Sequence, residues 1–260
     1  MKEFKTRLLS SIVYSALLIS SVFVSSLSYI IVMLFLCLLT IIEYQKFNRI
    51  RNLFSIFFLL TLSVLSYFEL INYWIFNLIL SISLISNTIL AILILLNKLK
   101  LNVFKKHFLL VTYLTLSSFF ILKIPFDDSI FFEKKILFFL LIIWSNDTFA
   151  YIFGKLFGKT LLNQKISPKK TWEGLFFGIF ISLITSYLMN IIYFQYDISF
   201  VIIATIFICI TGIIGDLTQS FLKRNAKVKN SGKIIPGHGG VFDRMDSMIF
   251  SAPFYYLIIN

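Results

Sequence analysis

Two aspartates three residues apart, Asp243 and Asp246, follow directly on the run Gly237-His238-Gly239-Gly240. Positions i and i+3 of a helix share a face, so the two carboxylates would sit close enough to repel. A divalent cation is a common reason for keeping such a pair. Hard oxygen ligands with no cysteine and little histidine nearby favour Mg²⁺ over zinc. Mg²⁺ in turn usually keeps water and takes further ligands from substrate phosphates. Asp216 belongs to the same chemistry, because Gln219 and Ser220 follow it at i+3 and i+4 and extend a polar stripe. These three aspartates are the candidate metal ligands, for one or two Mg²⁺ ions.

The segments beside these acids are built for anions. Lys223, Arg224, Lys227, Lys229 and Lys233 crowd into the stretch before the glycines. Gly237, Gly239 and Gly240 permit left-handed backbone angles, and a turn of exposed N–H groups makes an anion nest. Backbone that would wrap a phosphate chain thus runs straight into carboxylates that would hold the metal bridging it. His238 fits a hydrogen bond that holds the loop, a phosphate donor or a general acid, the first having the most weight. A second basic loop spans Gly154 to Gly174. Within it, Ser167-Pro168 predicts a helix start, with serine as N-cap and proline at the first helical position. Lys169 and Lys170 would then lie at a helix N-terminus, a poor place for cations unless an anion joins them. Taken singly, each lysine also fits ordinary loop charge.

The elements that must position these groups lie in lipid. The 260 residues are 58% hydrophobic and 14% charged, with 31 Phe, and a soluble domain of this size could not hide that much apolar surface. Their mean hydropathy is +0.91. No charge occurs from Leu8 to Ile42, from Leu53 to Tyr67 or from Leu175 to Tyr196. Such runs read as transmembrane helices, so the expected fold is an all-α integral membrane protein, a polytopic bundle with its N-terminus in the cytoplasm. About nine segments are expected, near 8–25, 27–43, 53–67, 74–96, 107–122, 134–152, 172–193, 199–217 and 245–259. The first run is too long for one span, and Ser25-Ser26-Leu27-Ser28 supplies its hairpin point. The N-terminal segment is read as a retained helix, since no A-x-A-like cleavage site follows it. Residues 1–133 would form the N-terminal helices, and residues 134–260 the catalytic helices with two basic cytoplasmic loops.

With this count, only Lys123, Lys134 and Lys135 fall in outer loops, and every other Lys and Arg faces inward. The net charge of +12 therefore reflects topology and affinity for anions at one membrane face, not nucleic-acid binding. Cys37 and Cys209 lie in apolar runs and read as small hydrophobes. Glu69, Asp127, Asp128, Glu133 and Asp197 fall in outer loops, whereas Asp147, Glu173, Asp216, Asp243 and Asp246 all fall at the cytoplasmic boundary. A carboxylate inside a membrane helix costs about 3 kcal/mol unless it meets water, a partner or a metal. Five such groups on one face, beside two basic loops, mark a site rather than scattered ion pairs. Tyr151 and Trp172 fit an interfacial aromatic belt.

From Ser220 to Asp246 the chain carries Ser220, Lys223, Arg224, Lys229, Asn230, Ser231, Gly232, Pro236, Gly237, His238, Gly239, Gly240, Asp243, Arg244 and Asp246. This pattern resembles the signature of the phosphatidate cytidylyltransferases, also called CDP-diacylglycerol synthases. The stretches Asp147–Lys159, Ser167–Gly174 and Gly215–Ser220 are similar to family stretches as well, so the resemblance covers about residues 140–250. Asn230 stands where the family usually has aspartate, Gln219 where it has glutamate, and Phe149 where it has a small residue. The resemblance implies transfer of CMP from CTP to phosphatidic acid, giving CDP-diacylglycerol and pyrophosphate for phospholipid synthesis. It implies catalytic roles for Asp216, Asp243, Asp246, Lys223, Arg224 and Arg244. Substrate would be bound by Asp147, Lys169, Lys170, Glu173, Ser220, Lys229, Gly237, His238, Gly239 and Gly240. The expected setting is the inner membrane of a bacterium, with the site facing the cytoplasm and membrane lipids as partners. A homodimer is compatible with the sequence. The competing readings are a CTP-dependent polyprenol kinase, a CDP-archaeol-type synthase and, from another class, an anion transporter.

Overall fold

The first apolar run breaks at Ser25. In the computed structural model, which describes residues 2–237 and 239–260, helix α1 (Lys2–Val24) ends there and α2 (Ser26–Asn48) begins. The Ser25 hydroxyl accepts the Ser28 N–H at 3.0 Å, and the Ser25 N–H donates to the Ser28 hydroxyl at 3.0 Å. That reciprocal capping starts a helix where hydrophobicity alone gives no signal. Asparagines do the same work for the next three helices. Asn52 caps α3 (Leu53–Tyr67), Asn72 caps α4 (Tyr73–Leu95) and Asn102 caps α5 (Val103–Leu109). In each, the side-chain oxygen satisfies a first-turn N–H that the helix itself leaves without a partner.

Helix α5 continues through a π-turn (Leu110–Thr115) into α6 (Leu116–Lys123). A short hairpin of β1 (Phe126–Asp127) and β2 (Ile130–Phe131) leads to α7 (Glu133–Phe157). A second antiparallel hairpin, β3 (Leu161–Asn163) with β4 (Ser167–Thr171), leads to α8 (Trp172–Met189), which a π-turn prolongs to Phe194. Helices α9 (Ile198–Asn225) and α10 (Phe242–Ile259) complete the bundle. Each expected apolar segment falls on one of these helices or on the continuous α5–α6 rod.

The helix expected at Ser167-Pro168 is not there. Residues 167–171 form strand β4, and α8 starts at Trp172, capped by the Thr171 hydroxyl, which accepts the Gly174 N–H at 3.2 Å. A residue before proline avoids helical angles, and proline is tolerated in an edge strand. Pairing with β3 then settles the extended form, and the β-branched Thr171 supplies the cap. Lys169 and Lys170 accordingly ride on a strand.

Among the described residues, five helices are long and apolar enough to cross a membrane: Ser26–Asn48, Tyr73–Leu95, Glu133–Phe157, Trp172–Phe194 and Ile198–Asn225. Leu9–Val24 and Leu53–Tyr67 are shorter apolar helices. Phe57, Trp74, Ile85, Phe176 and Ile192 are exposed on the outside of the bundle. Apolar surface on this scale needs lipid to cover it, and the chain is an integral membrane protein. The core lies where α6, α7, α9 and α10 meet, with Phe119, Phe120, Phe138, Phe139, Phe250 and Tyr255 almost fully buried. Gly215 lets α9 and α10 approach closely: a Cβ there would stand 2.7 Å from the Asp246 carbonyl oxygen and 2.7 Å from Phe250 Cβ. This contact brings the start of α10 against the polar part of α9.

Candidate active site

The cytoplasmic halves expected for α7, α9 and α10 carry Asp147, Asp216 and the pair Asp243 and Asp246 to one end of the bundle. All four line one cavity of about 470 Å³, together with Lys169, Lys170, Lys223 and Arg244. Ser167, Thr171, Tyr151, Gln219 and Asn230 complete its polar wall. A second cavity of about 330 Å³ shares Asp147, Asp243, Arg244 and Asp246 with the first. Its remaining walls are Ser10, Ser11, Tyr14 and Ser15 of α1, Ile143, Trp144 and Thr148 of α7, and Ile235. Two chambers, one rich in lysine and one rich in hydroxyls, thus meet at the same acids.

The carboxylates are not equivalent. Asp216 pairs with Lys170 at 2.6 Å and accepts the Ser220 hydroxyl at 3.3 Å. Asp243 pairs with Lys223 at 2.6 Å and accepts the Gln219 amide at 2.9 Å on the same oxygen. Its other oxygen takes the Ser231 N–H at 2.9 Å and the Gly240 N–H at 3.0 Å, and the Ser231 hydroxyl oxygen lies 3.0 Å away. A carboxylate offers about four lone-pair positions, so the four donors Lys223, Gln219, Ser231 N–H and Gly240 N–H leave Asp243 saturated. The sequence marks it as a metal ligand, whereas in the structure it organises the loop around itself. Asp246 and Asp147 differ: among the described residues neither makes an ion pair with lysine or arginine. Ser247 connects them, its N–H donating to Asp246 at 2.9 Å and its hydroxyl lying 3.5 Å from Asp147. Asp246 is buried, and Asp147 is open to the cavity.

Acidic side chains that face polar space without a cationic partner suit a cation. Among the described residues no three His, Cys, Asp or Glu side chains lie close enough to hold a metal by themselves. That donor set fits Mg²⁺, which fills an incomplete protein shell with water and phosphate oxygens. It does not fit a closed structural site.

Several expected site residues stand elsewhere. Arg224 and Lys229 are exposed and outside the cavity wall, and Ser220 sits behind Asp216. The Glu173 carboxylate accepts the Lys159 N–H at 3.1 Å, the Thr160 N–H at 3.1 Å and the Thr160 hydroxyl. It fastens the chain after α7 to the first turn of α8 and does not line the cavity. Two N–H groups of the expected phosphate nest are used internally. Gly239, at φ 104°, donates its N–H to the Ile235 carbonyl at 3.1 Å, and the Gly240 N–H goes to Asp243. Gly237 is at φ 76° and exposed. His238 lies outside the described residues.

Sequence reasoning passed over Glu43. It closes the apolar part of α2, where an acid reads as an interfacial charge, yet it is only 3% exposed. It accepts the Ser231 hydroxyl at 2.7 Å and the Val241 and Phe242 N–H groups at 3.0 Å each. The one available signal was its place at the same membrane face as the five aspartate and glutamate candidates.

A family model described as "Cytidylyltransferase family" matches residues 5–260. A protein named phosphatidate cytidylyltransferase from Rickettsia typhi is 42% identical over 167 residues, which cover 58% of this chain and 69% of that protein. Proteins of the same name from Staphylococcus epidermidis and Bacillus subtilis are each 43% identical, over 127 and 120 residues. The matched stretches cover 48% and 45% of this chain, and about half the length of these two relatives (49% and 44%). With the family match running almost from end to end, the chain belongs to the cytidylyltransferase family.

Proposed function

We propose that the protein transfers CMP from CTP to phosphatidic acid, forming CDP-diacylglycerol and pyrophosphate. The observation that carries this reading is the cavity at one end of the membrane bundle, where acids from three helices face two lysines of β4, Lys223 and Arg244. The relatives named phosphatidate cytidylyltransferase support the same substrates.

In this reading the lysine-lined chamber takes the triphosphate, and the hydroxyl-lined chamber beside α1 takes the lipid phosphate. Arg244 and the acids stand on the wall common to both. A phosphate oxygen of the lipid attacks the α-phosphorus of CTP. The bond from that phosphorus to the oxygen bridging towards the β-phosphate breaks, and its electron pair leaves with pyrophosphate. The nucleophile is already anionic, so no strong general base is required; bringing two polyanions together is the main barrier. Lys169, Lys170 and Arg244 neutralise phosphate charge, and such preorganised cations are the main lever in phosphoryl-type transfer. Lys223 is held in place by Asp243. Asp246 and Asp147, which have no lysine or arginine ion pair among the described residues, would contribute ligands to Mg²⁺ alongside water and phosphate oxygens; when bound, the ion supplies charge neutralisation at the phosphates. The acyl chains stay in hydrocarbon while the head group reaches the site from the cytoplasmic leaflet of a bacterial inner membrane.

Product analysis tests the reading. Purified protein with CTP, phosphatidic acid and Mg²⁺ should release pyrophosphate and form CDP-lipid, and omission of any one component should stop both. Release of CDP with a phosphorylated lipid alcohol would assign a kinase instead.

A further inference from the structure

The loop that joins α9 to α10 closes around a carboxylate from the other half of the chain. Glu43 of α2 is buried, and a buried carboxylate is tolerated only when its oxygens are well supplied with donors. The supply here comes from one region: Val241 donates to Oε1, and Phe242 and Ser231 donate to Oε2. Helix α10 has no side-chain cap of its own at Val241. Its first N–H groups would otherwise be unsatisfied, so Glu43 acts as a cap delivered from a different helix. The fit leaves no spare room. A Cβ added at Gly232 or at Gly240 would run into the Glu43 carboxylate, and one at Gly240 would also meet the Ser231 hydroxyl. Two glycines of the loop are thus explained by a protein carboxylate, not by a substrate phosphate.

The Ser231 hydroxyl lies between Glu43, at 2.7 Å, and Asp243, at 3.0 Å. Glu43 is thereby linked to the Asp243–Lys223 pair, and through the first turn of α10 to Asp246. We propose that Glu43 is a positioning residue for the transfer reaction, fixing the start of α10 so that Asp246, Arg244 and the Lys223–Asp243 pair keep their places in the cavity. This rests on the reaction proposed above. In Glu43→Gln an amide nitrogen replaces one acceptor oxygen and faces a backbone N–H or the serine hydroxyl, so at least one donor loses its partner.

The test uses the full-length protein purified in detergent, as wild type, Glu43→Gln, Glu43→Asp and Ser231→Ala. Three quantities are read: unfolding temperature, steady-state kcat and KM for CTP by pyrophosphate release, and hydrogen exchange of the 229–245 segment. For Glu43→Gln the expected result is kcat lower by about tenfold or more, KM for CTP changed by less than about threefold, and faster exchange confined to 229–245. Glu43→Asp should recover part of kcat. Wild-type kcat in Glu43→Gln, or a loss matched by the loss of folded protein alone, overturns the proposal. Should Glu43→Gln fail to fold, Ser231→Ala decides: a lowered kcat at unchanged KM supports the link, and wild-type kcat refutes it. A wild-type protein that releases no pyrophosphate would refute the proposed reaction, while the exchange data would still show whether Glu43 pins α10.

Discussion

Gln219 donates its amide to Asp243 at 2.9 Å, a bond that a carboxylate in its place could not make. The amide supports the Asp243–Lys223 pair without adding charge. Gln219→Glu should therefore set two carboxylates side by side. The expected outcome is a loss of about 1–3 kcal/mol from a broken buried hydrogen bond and like-charge repulsion. It should appear as a lower unfolding temperature and a lower kcat; an unchanged unfolding temperature would contradict this account. The other departures are quieter. Asn230 lines the cavity, and Phe149 packs against Phe153 on α7. At this scale the sequence exposed the charged groups of the site, because acids beside apolar runs are conspicuous. It did not expose their partners. Asp243 and Asp246 read alike as a pair three residues apart, yet one is saturated by donors and the other makes no ion pair with lysine or arginine among the described residues. That difference depends on Lys223, Gln219 and Ser231, which only folding brings to Asp243.

The elements show where local signals suffice and where packing decides. Caps at Ser25, Asn52, Asn72 and Asn102 are local, so helix boundaries near them follow from the residue types. The β3–β4 hairpin is not local in that sense. Ser167-Pro168 carries the marks of a helix start, but pairing of Leu161 with Thr171 and of Asn163 with Ser167 overrides them. The consequence is functional, since the strand aims Lys170 at Asp216 across the cavity. Helices α9 and α10 depend on Gly215, whose missing side chain sets their separation. Gly215→Val should push α10 outward, costing about 1–3 kcal/mol from overpacking. Activity should fall more than stability does, because Asp246 sits directly at the contact. Paired measurements of unfolding temperature and pyrophosphate release check this, and full activity in a folded Gly215→Val protein would count against close α9–α10 packing as the device that sets the site.

Across the whole molecule, cations and acids gather at one end of the bundle, and the other end carries the β1–β2 hairpin and the Lys135–Asp127 pair. The lopsided lysine and arginine distribution predicts that the cavity end faces the cytoplasm. Cys37 and Cys209 are buried, so an introduced thiol reports its own side. Lys229→Cys should react with a membrane-impermeant maleimide in inverted vesicles only, and Asp128→Cys in intact cells only. The reverse pattern would turn the topology over. The central claim is that carboxylates from separate helices act together in one cavity to drive cytidylyl transfer. The most direct measurement is pyrophosphate release by Asp246→Asn beside wild type, with CTP, phosphatidic acid and Mg²⁺ at saturation and unfolding temperatures recorded on the same samples. A fall of about a hundredfold or more in a variant that stays folded is the predicted result. Turnover equal to wild type would contradict the account.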